Sequence, residues 1–306
     1  MRPRIVITEP LQPEAVAWLR ERCDVDEIPF EDEAALSDAL QDADGLIVRT
    51  YTRVNEQLLN ETTRLRVVGR AGVGLDNIDL EACSAWGVQV VHTPEANTTA
   101  VVEFVFAQLF SVLRPLRPLE CAIEAEAWRA LRDASITPRE MSDMTLGIVG
   151  FGRIGKAVAH VGEVLFGRVI YHDLIEIPEA ERGAAAPVSF DELCASSDAL
   201  TVHVDGRLPN RGLLSADAFA MMKPDVVFIN ASRGFVVDAP ALAAFLKTNP
   251  NATAMLDVHE PEPFASDYPL LGLPNAQLFP HIGAATARAK ANMSWVVKDV
   301  WAALGE

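Results

Sequence analysis

Cysteine is scarce and scattered: Cys23, Cys83, Cys121 and Cys194 form no C-x-x-C pair. That argues against a disulfide framework or a cysteine zinc site and points to reduced thiols acting as small hydrophobes. Positive charge is also short, 26 Lys and Arg against 43 Asp and Glu, for a formal net charge of −17. Long-range electrostatics therefore oppose nucleic acid and anionic membrane surfaces as partners. An anionic small molecule needs arginines placed locally. No apolar run is long enough to span a bilayer, and no repeat or low-complexity tract occurs. Met1 leads directly into a strand pattern without the apolar core of a signal peptide. The expectation is a soluble cytoplasmic protein without a metal.

What is present is length and hydrophobicity. The chain has 306 residues, half of them hydrophobic, which suits two cores better than one. Strand patterns at Ile5–Thr8, Val25–Ile28, Gly45–Arg49, Val67–Gly69 and Val88–Val91 alternate with helical spacing over Pro13–Arg22 and Glu33–Gln41. A doubly wound α/β domain is expected there. Ala100–Leu113 reads as a buried helix ending before Pro115 and Pro118, and the Glu- and Arg-rich stretch around Trp128 as irregular. From Thr145 a second doubly wound unit begins, with strands at Thr145–Val149, Arg168–His172, Ala199–Val204, Val226–Asn230, Ala252–Leu256 and Gln277–Phe279. Helical stretches Ala216–Met222 and Ala239–Lys247 lie between them, and one last helix is expected over Ala285–Leu304, crossing back to the first domain. The expected domains are 1–97 with 285–306, for substrate, and 98–284, for a dinucleotide.

The densest signal is Gly150-Phe-Gly152-Arg-Ile-Gly155 between a buried strand and a helix. Gly150 permits the tight turn, Gly152 lets the backbone approach a pyrophosphate, and Gly155 lets helix and strand pack closely. The free N–H groups of the helix N-terminus face the anion. Asp173 ends the next strand, about 20 residues further on, where a carboxylate accepts from an adenosine ribose. Leu174 and Ile175 are not basic, so NAD is expected over NADP.

A ketone-reducing nicotinamide enzyme also needs a proton donor and a cation for an anionic substrate. Three strand ends supply candidates. Asn230-Ala-Ser-Arg233-Gly234 offers an arginine suited to a bidentate pair with a carboxylate. Leu256-Asp257-Val-His-Glu260-Pro-Glu262-Pro263 offers Glu262, stiffened by flanking prolines. Phe279-Pro-His281-Ile-Gly283 offers the histidine, whose pKa a neighbouring carboxylate raises. Read one at a time, the bland reading is the commoner for each: a surface arginine before a turn glycine, an acidic surface loop, and a structural histidine near a strand end.

Taken in order, the motifs resemble the D-isomer-specific 2-hydroxyacid dehydrogenases, and within them the phosphoglycerate dehydrogenases in a short form lacking a C-terminal regulatory domain. The residues carrying the resemblance are Arg70-Ala-Gly-Val-Gly-Leu-Asp-Asn-Ile-Asp79, Thr93-Pro94 through Asn97-Thr98, and the segments just quoted. It implies two doubly wound domains, a Rossmann NAD-binding domain inserted into a flavodoxin-like substrate domain. It implies Arg233 as substrate-binding catalytic arginine, His281 as proton exchanger and Glu262 as its support. It also implies Gly150, Gly152, Arg153, Ile154, Gly155 and Asp173 as dinucleotide contacts. Val204, Ala231 and Ala284 join them, with Asp257 meeting the nicotinamide carboxamide.

Backbone N–H groups of Val73 and Gly74 are implied for the substrate carboxylate, and Arg49 for a second anionic group, which leans the substrate towards 3-phosphoglycerate. Hydroxypyruvate, glyoxylate or another short 2-keto acid is the alternative. A corepressor of the C-terminal-binding-protein type is a reading from another class, which turnover of 2-keto acids would exclude. The apolar helix implies a homodimer. Asp205 departs from the family's neutral pattern and would face the cofactor phosphates unless Arg207 offsets it; His92 and His259 are also departures, read as packing or surface variants.

Overall fold

The structure, a computed structural model, describes residues 2–305. It divides into two compact units, one holding the chain up to Asn97 and from Ala284 onward, the other Thr98–Gly283. The first begins β1 (Arg4–Ile7), α1 (Pro13–Arg20), β2 (Asp24–Glu27), α2 (Glu33–Leu40), β3 (Gly45–Val48), α3 (Glu56–Leu59), β4 (Val67–Arg70), α4 (Leu80–Ala85) and β5 (Gln89–His92). All pairings are parallel and the sheet order is β2-β1-β3-β4-β5, the flavodoxin-like order. Asp32, Asn55 and Asp79 each accept from the backbone three residues on, satisfying N–H groups that the first helical turn leaves open. Period-two alternation splits the strands between two cores. Ile5, Ile7, Ile47 and Val67 face one, and Val6, Leu46, Val48 and Val68 the other. Helices cover both faces, which is why these strands read as unbroken apolar runs.

The second unit contains α5 (Thr98–Leu113), α6 (Ala125–Ala134), β6 (Thr145–Val149), α7 (Arg153–Leu165), β7 (Arg168–His172), α8 (Glu179–Arg182) and β8 (Ala186–Pro187). It continues with α9 (Phe190–Ser196), β9 (Ala199–Val202), α10 (Ala216–Met221), β10 (Val227–Asn230), α11 (Ala239–Thr248), β11 (Thr253–Leu256) and β12 (Ala276–Leu278). Its sheet is also parallel throughout, in the order β12-β11-β10-β9-β6-β7-β8. Strand order reverses between β6 and β9. In an open parallel sheet that reversal opens a crevice at the carboxyl ends of the strands, the usual ligand position.

Three local expectations need correction, and one strand, β8, has no counterpart in the sequence pattern. The stretch around Trp128 is a helix, α6, with no buried residue. Its Ala, Glu, Arg and Leu favour a helix intrinsically, but no core marks its period. The helix α5 is buried on one side only: Val101, Val105, Phe106 and Leu109 are interior, whereas Phe110 is 42% exposed. The edge strand β8 has two residues, too short to show alternation.

The last helix is two, α12 (Ala287–Ser294) and α13 (Val296–Ala303), meeting at Trp295. The break turns Val296, Val297 and Val300 onto the first sheet, where each fully buried side chain contributes about 1.5–3 kcal/mol. Gly69 makes room, since a Cβ there would lie 2.3 Å from Val300 Cγ2. Among the described residues no helix is long and apolar enough to cross a membrane.

Candidate active site

In the second unit the parallel sheet delivers every candidate segment to the same edge, because each follows the carboxyl end of a strand. Gly150 follows β6 with φ +87°, a backbone region that glycine adopts without strain, and a Cβ there would lie 2.8 Å from the His203 carbonyl. A Cβ on Gly155 would lie 2.2 Å from the Gly150 carbonyl oxygen, so this glycine sets the close approach of α7 to the turn. Gly152 stands at the N-cap of α7 with no side-chain cap and nothing within 4 Å of where its Cβ would be. An uncapped helix start beside open space fits a pyrophosphate. Arg153 is exposed and the Ile154 side chain packs against the core beneath.

The Asp173 carboxylate shapes the turn from the neighbouring strand. Its Oδ2 accepts from Phe151 N at 2.6 Å and its Oδ1 from Ile175 N at 3.1 Å. Each oxygen retains a second lone pair for a ribose hydroxyl. On the other side of β6, His203 donates its backbone N–H to Val149 at 2.7 Å and carries Val204 into the crevice edge. Burial pushes the His203 imidazole down to about 3, so the ring is neutral, with Nε2 2.9 Å from Thr201 Oγ1. The Asp205 carboxylate turns back into its own loop, accepting from Arg207 Nε and Asn210 Nδ2, both at 2.8 Å. The offset by Arg207 is thus a direct pair, and this pairing holds the guanidinium above its ordinary pKa.

The loop after β10 is folded by Asn230, which sequence reasoning did not single out. Fully buried, its Oδ1 accepts from Ser232 N at 3.0 Å and Ser232 Oγ at 2.8 Å, while Nδ2 donates to the Arg233 carbonyl at 3.0 Å. Ala231 is half-buried within this turn and Arg233 emerges from it, with Nη1 donating to the Ser232 carbonyl at 2.6 Å. Gly234 then lies against the loop after β11, where a Cβ would come within 2.0 Å of the His259 carbonyl.

That second loop carries Glu262. Its Oε1 accepts from His259 N at 2.7 Å and its Oε2 lies 2.8 Å from His281 Nδ1. The His259 ring is interior, with Nε2 2.8 Å from the Phe279 carbonyl oxygen and the Phe264 and Tyr268 rings around it, so it is a packing residue. His281 has φ 55°, a conformation uncommon outside glycine, maintained by Asp257. The Asp257 carbonyl accepts from His281 N at 2.9 Å, and its Oδ1 and Oδ2 accept from Ile282 N and Gly283 N at 2.7 Å each. Three successive N–H groups of the histidine loop end on this one residue. Ala284 follows at the start of the other unit's final segment.

Electrostatics match this geometry. The hydrogen bond that His281 donates to Glu262 raises the His281 pKa above 6.5, outweighing burial and the opposing charge of Arg233. Burial acts to raise Glu262, but the bonds from His281 and the His259 N–H outweigh it and hold the carboxyl below 4.5. Burial keeps Asp257 above 3.8 despite its two N–H donors. The result is a histidine biased towards its charged form, with Nδ1 engaged and Nε2 left for chemistry.

Arg49, Val73 and Gly74 lie in the first unit, after β3 and β4. The N–H groups of Val73 and Gly74 donate to no other described group, while the Val73 carbonyl is 2.9 Å from His92 Nδ1, which makes His92 a brace of this turn. The Arg49 guanidinium pairs with no described residue.

Residues 106–283 match the family described as D-isomer specific 2-hydroxyacid dehydrogenase, NAD binding domain. The chain belongs to this family. Among family relatives, the D-3-phosphoglycerate dehydrogenase of Archaeoglobus fulgidus is 32% identical over 97% of the chain and 56% of the relative. The chain thus spans about half the length of the curated phosphoglycerate dehydrogenases it matches. The glyoxylate reductase of Aeropyrum pernix is 33% identical, covering 97% of the chain and 91% of that protein. Among solved structures, a glyoxylate reductase from Paecilomyes thermophila superposes with a TM-score of 0.84 at 25% identity, covering 99% of this chain and 96% of that one. The matched segment of the dehydrogenase family is its NAD-binding domain, and it spans the strand ends of the second unit described above.

Proposed function

We propose that the chain is an NAD-dependent oxidoreductase interconverting a D-2-hydroxy acid and its 2-keto acid. The observation that carries this reading is the Glu262–His281 pair at 2.8 Å on the same sheet edge as the dinucleotide turn. Bound NADH supplies the hydride for the substrate carbonyl carbon. His281 Nε2–H donates the proton to the carbonyl oxygen in reduction, and neutral Nε2 takes it back in oxidation. Glu262 orients the ring through Nδ1 and favours the charged form before transfer. Arg233 pairs with the substrate carboxylate and polarises the carbonyl. In the first unit, the unengaged N–H groups of Val73 and Gly74 are donors for the carboxylate, and being backbone they need no side-chain ordering. Asp173 accepts from the ribose and disfavours a 2′-phosphate, with Gly150, Gly152, Gly155, Arg153, Ile154, Val204, Ala231 and Ala284 lining the cofactor and Asp257 at the carboxamide. Asp257 does this from the same position in which it braces the histidine loop.

The unpaired Arg49 supports a substrate with a second anionic group, with 3-phosphoglycerate as the leading candidate. The full-length likeness to glyoxylate reductases favours a short 2-keto acid as the second reading. An assay of phosphorylated and unphosphorylated 2-keto acids with NADH and NADPH tests both. Turnover of none of them refutes the enzymatic reading, and equal efficiency with both cofactors refutes the role of Asp173. An Asp173→Ala variant is expected to narrow the preference for NADH.

We further infer a cytoplasmic homodimer with no nucleic-acid partner. Phe110, Leu116 and Trp128 around α5 and α6 are 42%, 89% and 50% exposed, apolar surface that a second copy covers. Sedimentation as a monomer at micromolar concentration would contradict it.

A further inference from the structure

Glu9, just beyond β1, is a carboxylate only 6% exposed, and no described cation pairs with it. Its partners are the backbone of the segment after β3. Oε1 accepts from the N–H groups of Arg49 at 2.9 Å, Thr50 at 2.9 Å, Tyr51 at 3.1 Å and Thr52 at 3.2 Å, and from Thr52 Oγ1 at 3.3 Å. Oε2 accepts from Thr50 N at 2.8 Å. A run of successive N–H groups converging on one point is an anion-binding nest. Here the anion is internal. The arrangement solves two problems together, since four successive N–H groups turned inward from a partly exposed loop gain an acceptor and a buried carboxylate without donors is strongly unfavourable.

The rest of the loop is tied from other directions. Thr52 Oγ1 lies 2.6 Å from Thr8 Oγ1, and Asn77 Nδ2 donates to the Thr52 carbonyl at 2.7 Å. The Tyr51 ring stacks on Phe30 at 5.2 Å. Because Glu9 fills the nest, the loop's backbone is closed to an external anion, and the partnerless guanidinium of Arg49 is left to meet one.

We propose that Glu9 is the positioning residue for substrate recognition: its carboxylate fixes the Arg49–Thr52 backbone and thereby the direction in which Arg49 presents its charge. This rests on the reading of Arg49 as a substrate contact. It goes beyond that reading in assigning the selectivity of the loop to a residue that touches no substrate.

The test uses Glu9→Ala and Glu9→Gln in the full chain, with added acetate, which replaces the missing carboxylate, and with acetamide, its neutral counterpart of similar size. In both variants the amides of residues 49–52 should exchange with solvent faster than in the parent. KM for 3-phosphoglycerate should rise about 10-fold or more with kcat within about twofold, the pattern of lost binding and not lost chemistry. Acetate should restore both exchange protection and KM in Glu9→Ala, and acetamide should restore neither. Glu9→Gln keeps the volume and loses the charge, so it decides the matter if the alanine variant folds poorly. Unchanged KM in a folded variant, or equal rescue by acetamide, overturns the proposal. Failure of the dehydrogenase reading looks different, as absent turnover by the parent chain with the acetate-dependent exchange protection of Glu9→Ala intact.

Discussion

Glu262 Oε2 lies 2.8 Å from His281 Nδ1, and the other oxygen of the same carboxylate is held by the backbone N–H of His259. The carboxylate therefore cannot rotate away from the ring without giving up a second bond. The histidine is raised above its ordinary 6.5 and the glutamate lowered below 4.5, so the charged pair is the favoured state between those values. The His281 part of its stabilisation is full below 6.5 and fades as pH rises through the raised value. The Glu262 part is full above 4.5 and fades as pH falls through the lowered one.

With His281 as the proposed acid in reduction, kcat should fall as pH rises through the raised histidine pKa. Glu262→Gln should shift that limb to lower pH and reduce kcat by about 10-fold or more, the range expected for a weakened general acid. A pH–rate profile that keeps its alkaline limb in place in Glu262→Gln would show that the carboxylate does not set the histidine's charge.

Gly234 is a packing requirement of a different kind. A methyl at this position meets the His259 carbonyl at 2.0 Å, and neither backbone has a flexible end that can yield. Gly234→Ala should lower stability by about 1–3 kcal/mol, as overpacking does. It should also depress activity, because the loops bearing Arg233 and Glu262 separate. Thermal unfolding and kcat/KM measured together check this, and a variant equal to the parent in both would contradict the close approach.

Arg49 separates the two substrate readings. If it pairs with a phosphate, Arg49→Ala should cost about 2–4 kcal/mol in kcat/KM for the phosphorylated substrate, the loss expected for a charge-assisted pair that leaves an anion partly unpaired. Glyoxylate, lacking that group, should lose far less. Equal losses on both substrates would assign Arg49 to the fold.

The parts of this molecule that the sequence makes legible are those where one residue type answers a local demand. Gly150, at positive φ, and Gly155, against a carbonyl, cannot be other residues without strain, so their spacing announces the turn. Strand alternation such as Ile5, Val6, Ile7 announces two covered faces because adjacent side chains must enter opposite cores. Relations between distant segments stay hidden. Glu9 meets residues 40 and more positions away, and nothing beside it in the chain marks it as an acceptor. Asn230 reads as the last residue of a strand until its amide is seen folding the arginine loop. The helix α6 was obscured for another reason: its apolar positions, Trp128 and Leu131, sit among Glu and Arg and none of its residues is buried, so the stretch reads as charged and irregular.

In the proposed reaction His281 transfers the proton while the dinucleotide turn, formed by separate residues, holds the cofactor. Its most direct test is His281→Ala, with turnover and NADH binding measured on the same preparation, the latter by fluorescence titration without substrate. The expected result is a kcat lower by about 100-fold or more with the NADH dissociation constant within about twofold of the parent's. Near-normal turnover in that variant would contradict it.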